Sequence, residues 1–301
     1  MIWTRRTLLA CAAALAARPA FAHDPAALVD PYTEETEARG PRRTLPFTAT
    51  FQNNGRRLTF VATLHDTDRR GPTFRAIDRA FAQRPNALLV EGFPSSWGVN
   101  PARILDVVRA SAADPRGADS YVRGEPGHAL RQALQRSAPI HGGEPDNAAI
   151  DRALIAQGYA PADIAAVKVL QWIPQGRIAG EFRDNRDPRF RAFLDQACAR
   201  IAAEFEPALL FNRGLYERWH ARQFGRSVYE DDLYHERLDP RARTQAGDIS
   251  RAMTLVRDRH IFGEILRVLA RHDRTLVVYG GVHLITQWRA LNAALSVPRL
   301  S

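Results

Sequence analysis

Cysteine is nearly missing from this chain, with only Cys11 and Cys198 among 301 residues. Lysine is rarer still: Lys168 is the single one, so the 42 Lys and Arg residues are almost all arginine. Past residue 25 no apolar run approaches the roughly 20 residues needed to cross a bilayer, and no transmembrane segment is expected in the mature chain. There is no Gly-rich phosphate loop, no Gly-x-Ser-x-Gly elbow and no His-Glu-x-x-His helix. These absences disfavour nucleotide enzymes, serine hydrolases of the common fold and zincin proteases. The formal charge of +9 comes from arginines scattered among acids such as Asp184, Asp187, Glu217 and Asp231, not gathered into a stripe. Nucleic acid is therefore not expected as a partner.

What is present begins with a targeting segment. Arg5-Arg6 precede the apolar run Leu8 to Ala17, and Ala20-Phe21-Ala22 has the small-x-small form of a cleavage site. Residues 1–22 are expected to be a signal peptide, with the mature protein periplasmic or secreted. Thr4-Arg5-Arg6-Thr7-Leu8-Leu9 suits a twin-arginine export signal or an ordinary secretory n-region equally well. Leu8-Leu9-Ala10-Cys11 also admits a lipoprotein site, although with almost no apolar segment before the cysteine. Cleavage removes Arg5, Arg6 and Arg18, lowering the charge from +9 to +6, and leaves Cys198 alone. One thiol forms no internal disulfide, so stability in an oxidising compartment rests on packing. Cys198 lies in the helical pattern Phe193 to Ala199 and is expected to be buried and inert.

Residues 23–43, rich in Pro, Glu and Arg, are expected to be a mobile mature N-terminus. Leu45 to Phe51 and Leu58 to His65 read as strands joined through Asn53-Asn54-Gly55, a tight-hairpin signal. Helical spacing then alternates with short apolar strands: Pro72 to Gln83, Ala87 to Glu91, Pro101 to Ser111, Ala129 to Gln135, Pro139 to Gly143. From about 146 to 224 the pattern is helical without strands, each helix opening near a proline or an Asp/Asn cap. Segment 225–247 is polar and turn-rich and is expected to be a long loop near the site. A helix over Asp248 to Arg271, a strand over Thr275 to Gly280 and a helix over Leu284 to Leu295 follow. The expectation is an α/β fold: a mixed central sheet with flanking helices and a helical insertion between the early strands and the last one.

Four apolar runs stop at titratable residues, and open α/β sheets build sites at strand ends. They are Leu58 to His65, Leu88-Leu89-Val90-Glu91, Pro139 to Glu144, and Leu276 to Gly280 leading into Gly281-Val282-His283. His65 could ligate a metal, act as a base near neutral pH or simply cap its strand. Glu91 and Glu144, charged at the ends of buried strands, must each be paired or coordinate something; an arginine would serve as well as a metal. Gly280-Gly281 before His283 allows close backbone approach to a ligand. Arg257, on the helix before the last strand, could orient a carboxylate or stabilise an oxyanion. His141 points to the other face of its strand and is expected to be structural.

The order of these motifs resembles the TraB/GumN–TIKI superfamily, which also takes in erythromycin-esterase-like and ChaN-like proteins. Its pattern is Gly-x-x-His after an early strand, a strand ending in Glu, Arg-Asn on a late helix, and a second Gly-x-x-His on the last strand. Here these are Ala62-Thr63-Leu64-His65, Leu89-Val90-Glu91, Arg257-Asp258 and Gly280-Gly281-Val282-His283, while Glu144 resembles a further family acid. Ala62 stands in place of glycine and Asp258 in place of asparagine. The resemblance spans about residues 45–297 and implies one domain over 44–297, with a helical subdomain at about 146–224. It also implies a divalent-metal hydrolase acting on peptides. His65, Glu91 and His283 would hold manganese, zinc or cobalt, Glu144 would complete the shell or act as base, and Arg257 would position a peptide or small-molecule substrate. Two alternatives stay open: a metal-independent esterase-like hydrolase with a histidine base, and a ChaN-like haem or ligand carrier with Tyr229 or Tyr234 as axial group. Nothing in the sequence bears on oligomeric state.

Overall fold

The Asn53-Asn54-Gly55 stretch turns as its residues dictate. Asn54 and Gly55 take φ of 48° and 81°, so β1 (Phe47–Asn53) and β2 (Arg56–Thr63) pair antiparallel with Asn53 opposite Arg56. The computed structural model describes residues 24–65, 68–113, 124–205, 209–295 and 299–300. The expected signal peptide lies outside the described residues. Strands β3 (Ala87–Pro94), β4 (Ile140–Glu144), β5 (Arg274–Gly280) and β6 (Arg299–Leu300) complete a six-stranded sheet of order β4-β3-β5-β2-β1-β6. β2, β5, β3 and β4 run parallel, while β1 and β6 are antiparallel neighbours beyond β2. The late strand β5 inserts between β2 and β3, so four strand C-termini from distant parts of the chain share one rim.

Side chains along these strands alternate between two cores, as the two-residue period requires. Leu88, Val90, Leu276 and Val278 face α2 (Pro72–Ala82) and α4 (Glu125–Gln135), meeting Ile77, Phe81, Ala129 and Leu130. Leu89, Val277 and Tyr279 face the other way, meeting Ile261, Phe262, Ile265, Leu284 and Leu291. Both faces are covered, which is why the parallel strands read as unbroken apolar runs. Helix α3 (Ala102–Ala113) lies beside α4 on the first face.

Between β4 and β5 the chain builds a helical layer: α5 (Asn147–Ala156), α6 (Pro161–Ala179), α7 (Pro188–Glu204), α8 (Arg213–Phe224) and α9 (Tyr234–Leu238). Proline opens α6 and α7 where its missing N–H costs nothing, and Asn212 caps α8 by accepting from Leu215 N. The layer has its own core around Leu154, Leu170, Phe190, Ile201, Tyr216 and Trp219. Cys198 sits in it, fully buried, its thiol pushed up to about 12 by that burial. The long helix α10 (Gln245–Leu269) belongs to both halves: Ile249 and Met253 enter the helical core, Ile261, Phe262 and Ile265 the sheet core. Arg257 and Asp258 fall at the crossing. Helix α11 (Gly281–Ala294) packs against β2 and β5, ahead of β6.

Two expectations are corrected. Residues 25–40 are docked and do not form a mobile arm. A 3₁₀ turn (Pro25–Leu28) and α1 (Glu34–Arg39) pack on α11, with Val29, Tyr32 and Thr36 buried and Asp30 paired with Arg289. Composition misses this because a few apolar residues suffice to seat a short segment on an existing core. Segment 225–247 is likewise not a loop beside the site. Val228 and Tyr234 enter the helical core, so this layer extends beyond residue 224. Among the described residues no helix is long and apolar enough to cross a membrane.

Candidate active site

Every residue singled out at a strand end arrives at the C-terminal rim of the parallel strands. Thr63 ends β2, and His65 follows two residues later. Glu91 lies inside β3, where the pairing with β4 shifts register between Val90 and Pro94. Gly92 takes φ of 108°, a conformation that side-chain-bearing residues avoid. Such a bulge turns one side chain away from the ladder, and here the re-aimed residue is Glu91. Glu144 ends β4. His283 is on the first turn of α11, which begins at Gly281, three residues before the start expected at Leu284.

Each histidine is held through Nδ1 by a carboxylate of its own. His65 Nδ1 lies 2.5 Å from Glu125 Oε1, at the start of α4. His283 Nδ1 lies 2.6 Å from Asp258 Oδ1. Ionised carboxylates only accept, so Nδ1 carries hydrogen in both rings. Asp258 is fully buried and saturated: Thr286 Oγ1 donates to its Oδ2 at 2.7 Å and Gln287 Nε2 to its Oδ1 at 3.0 Å. Glu91 lies against the free edge of His283 and within electrostatic reach of His65. His283 Nε2 is 3.4 Å from Glu91 Oε1, and Gly280 N donates to Glu91 Oε2 at 2.9 Å. A Cβ placed on Gly280 would sit 3.4 Å from His65 Nε2 and 3.5 Å from Glu91 Oε2. Gly280 itself has φ of −53°, so a glycine here keeps space open between His65 and Glu91; no unusual backbone angle is involved.

Arg257 closes the other side. Its Nε and Nη2 donate to Glu144 Oε2 and Oε1 at 2.9 and 3.0 Å, and Nη2 is 3.7 Å from Glu91 Oε1. Glu144 is thus occupied by a two-pronged ion pair, the strong geometry for arginine and carboxylate, and Arg257 is aimed at Glu91 through it.

The electrostatics follow from this closure. Burial would raise the Glu91 carboxyl, but hydrogen bonding to and the charge of His283, then His65 and Arg257, hold it well below the usual carboxylate range. Burial would lower His283, but the charge and hydrogen bond of Asp258, then Glu91, raise it to about 10. The Glu125 hydrogen bond raises His65 as well. Burial also opposes charge on Arg257, and Glu144 and Glu91 more than offset it. The two rings differ in access: the His65 side chain is 71% exposed and that of His283 8%.

His65, His283 and Glu91 offer nitrogen and oxygen donors of the types that zinc, manganese or cobalt accept, and each imidazole is fixed from behind by an acid. Among the described residues no three His, Cys, Asp or Glu side chains are placed so that together they could hold a metal ion as they stand. Glu91 is turned onto His283 and the Gly280 amide, so holding an ion requires its carboxylate to exchange the proton-bearing imidazole for that ion.

Sequence reasoning overlooked Glu125, Thr286 and Gln287, and noted Asp258 only as a departure from a pattern. An acid in the first turn of a helix is ordinary, which hides Glu125. Thr286 and Gln287 become legible once His283 is placed on a helix, because positions three and four residues on share its face. Of the side chains considered for an axial role, Tyr234 is 2% exposed within the helical core, and Tyr229 donates to Glu217 Oε1 at 2.5 Å. Comparison with protein-family models, with curated proteins and with solved structures finds no match to this chain.

Proposed function

We propose that the chain is an exported hydrolase working at this rim, with a divalent cation held by His65, Glu91 and His283. The observation that carries the reading is that both rings are locked through Nδ1 by acids at one rim, with Glu91 3.4 Å from His283 Nε2 and flanking Gly280 together with His65 Nε2. The order of motifs resembling the TraB/GumN–TIKI superfamily supports it independently and favours peptides as substrates. A bound cation would polarise a carbonyl and lower the pKa of a water. The chain's own contributions are separate. Glu125 and Asp258 orient the imidazoles. Arg257, held by Glu144, presents a fixed positive charge that can receive developing negative charge on a substrate oxygen. Glu144, already bound to Arg257, serves to position it. Since His283 carries a proton up to about pH 10, an ion must displace that proton, and affinity rises with pH.

The test is metal content of the purified mature protein by mass spectrometry, together with cleavage of a mixed peptide pool before and after chelation. Stoichiometric metal and chelator-sensitive cleavage, both lost in Glu91→Gln, are expected. Cleavage that survives complete metal removal would overturn the cation and leave a second reading. That reading is a metal-independent hydrolase with the exposed His65–Glu125 couple as base, favoured by their 2.5 Å contact. No cleavage of peptides or esters in either state would overturn both.

A further inference from the structure

Helix α11 carries His283, and it is held from two sides. Its inner face presents His283, Thr286 and Gln287 to Asp258 on α10. Gly281, Ile285 and Arg289 recur every four residues and share another face. Two residues are roughly 200° of helical turn, so Ile285 lies opposite His283. The chain ahead of β1 runs along this outer face. Leu45 packs on Gly281 so closely that no side chain would fit there. At Gly40 an added Cβ would lie 3.2 Å from Ile285 Cγ2. Asp30 N donates to the Thr286 carbonyl at 2.9 Å, and Arg289 Nη1 donates to Asp30 Oδ1 at 2.8 Å. Val29, beside Asp30, is buried in the sheet core. Thr286 is therefore gripped twice, its hydroxyl by Asp258 and its carbonyl by Asp30.

The same segment reaches the helical layer as well. Glu37, on α1, pairs at 2.8 Å with Arg241, which lies between α9 and α10 and 5.6 Å from the ring centre of the buried Tyr32. The segment is also ordered within itself. Thr33 caps α1 by accepting from Thr36 N at 3.1 Å, and Thr36 Oγ1 donates to the Pro31 carbonyl at 2.7 Å. Apolar burial alone would seat Val29 without fixing how far along α11 the segment lies. The two Asp30 contacts fix that position. We propose that residues 29–45 are a positioning strap for His283: they set how α11 sits, and with it the place of His283 Nε2 against Glu91. Asp258 fixes the direction of the imidazole, and the strap fixes the helix on which it stands. The proposal rests on reading His65, Glu91 and His283 as a metal site, where each donor must fall about 2 Å from one ion. Outer-shell changes at such sites cost about 10–100-fold in metal affinity.

The test compares the unaltered mature protein with Val29→Asp, which puts a charge into the apolar seat and releases the strap, and with Val29→Ile, which keeps the seat filled. Hydrogen exchange is read at the amides of residues 281–287 in α11 and 88–90 in β3, and Co2+ binding by its visible absorption. Val29→Asp is expected to speed exchange in α11 at least about tenfold while leaving β3 unchanged. Co2+ affinity should fall about tenfold or more, and Val29→Ile should match the unaltered protein in both readouts. Asp30→Ala, a milder variant that removes only the carboxylate from Arg289, should move both in the same direction by about threefold, the scale of an exposed ion pair. Acceleration spread evenly over α11 and β3 would mean general destabilisation and overturn the proposal. So would unchanged exchange in α11, or a loosened α11 with Co2+ affinity intact. If the unaltered protein takes up no Co2+, the metal reading fails instead, and the exchange pattern alone decides whether the strap seats α11.

Discussion

The molecule contains two clusters made of the same parts, and they behave in opposite ways. At the sheet rim, His283 meets Asp258 and Glu91, with Arg257 beside them; in the helical layer, His220 and Arg237 meet the same oxygen of Asp231. His283 is 2.6 Å from one acid and 3.4 Å from another, and its pKa rises to about 10. His220 is 3.3 Å from a single acid, its Nδ1 is spent on the Arg226 carbonyl, and burial wins, lowering its pKa. A third histidine completes the series. His141 is buried against His272 with no hydrogen-bond partner at Nε2 among the described residues, and burial brings it down to about 4. Residue types alone do not make a site; the number of acids and an opening to solvent do.

The strongest way to break this comparison is to remove the acids. Asp258→Ala leaves a buried imidazolium facing one distant partner, and a destabilisation of roughly 3–5 kcal/mol is expected in denaturant unfolding. Asp231→Ala removes the hydrogen bonds that Arg237 Nε and Leu233 N donate to it and the 3.3 Å contact with His220, and the arginine can turn to solvent, so roughly 1–3 kcal/mol is expected. Equal losses would mean that the two clusters are energetically alike.

Acid and base titrations separate the histidines next. The folded pKa of His141 lies below the ordinary value, so its contribution is complete above about pH 6.5 and is lost as pH falls toward 4, by roughly 3 kcal/mol. His141→Phe should flatten that acid limb. The folded pKa of His283 is raised, so the chelated protein should keep this stabilisation below about pH 6.5 and lose it as pH climbs to about 10. A melting temperature flat over that alkaline range would contradict the double-acid environment.

Function provides a finer test. Glu91→Gln should reduce hydrolysis about 100-fold or more, while His220→Gln should leave it within about twofold once stability is matched. Comparable losses would dissolve the distinction between the rim and the helical layer. The smallest effect is geometric. Gly280→Ala needs no backbone change, yet its methyl enters the space between His65 and Glu91. Metal affinity is expected to fall about tenfold, the scale of an outer-shell change, with unfolding nearly unaltered.

Much of the fold was legible because local signals agreed with the global layout. The Asn54-Gly55 turn, the runs ending at Glu91 and Glu144, and the strand-free stretch after residue 146 all recur in the structure. The five side chains singled out for the site do come together at one rim. Their orienting partners were not legible, because a histidine's second nitrogen is satisfied by whatever the tertiary fold brings near. Glu125 is 60 residues from His65, and Asp258 is 25 from His283. Strand order was hidden too, since nothing local announces that β5 slides between β2 and β3.

One helix ties the two cores together. α10 runs 25 residues, roughly 37 Å, and each end is embedded in a different apolar body. Neither body can come apart without tearing out half of that shared beam, so heat or denaturant should melt both in a single step. The midpoint of the beam, where Arg257 and Asp258 sit, is then the place most firmly gripped from both sides.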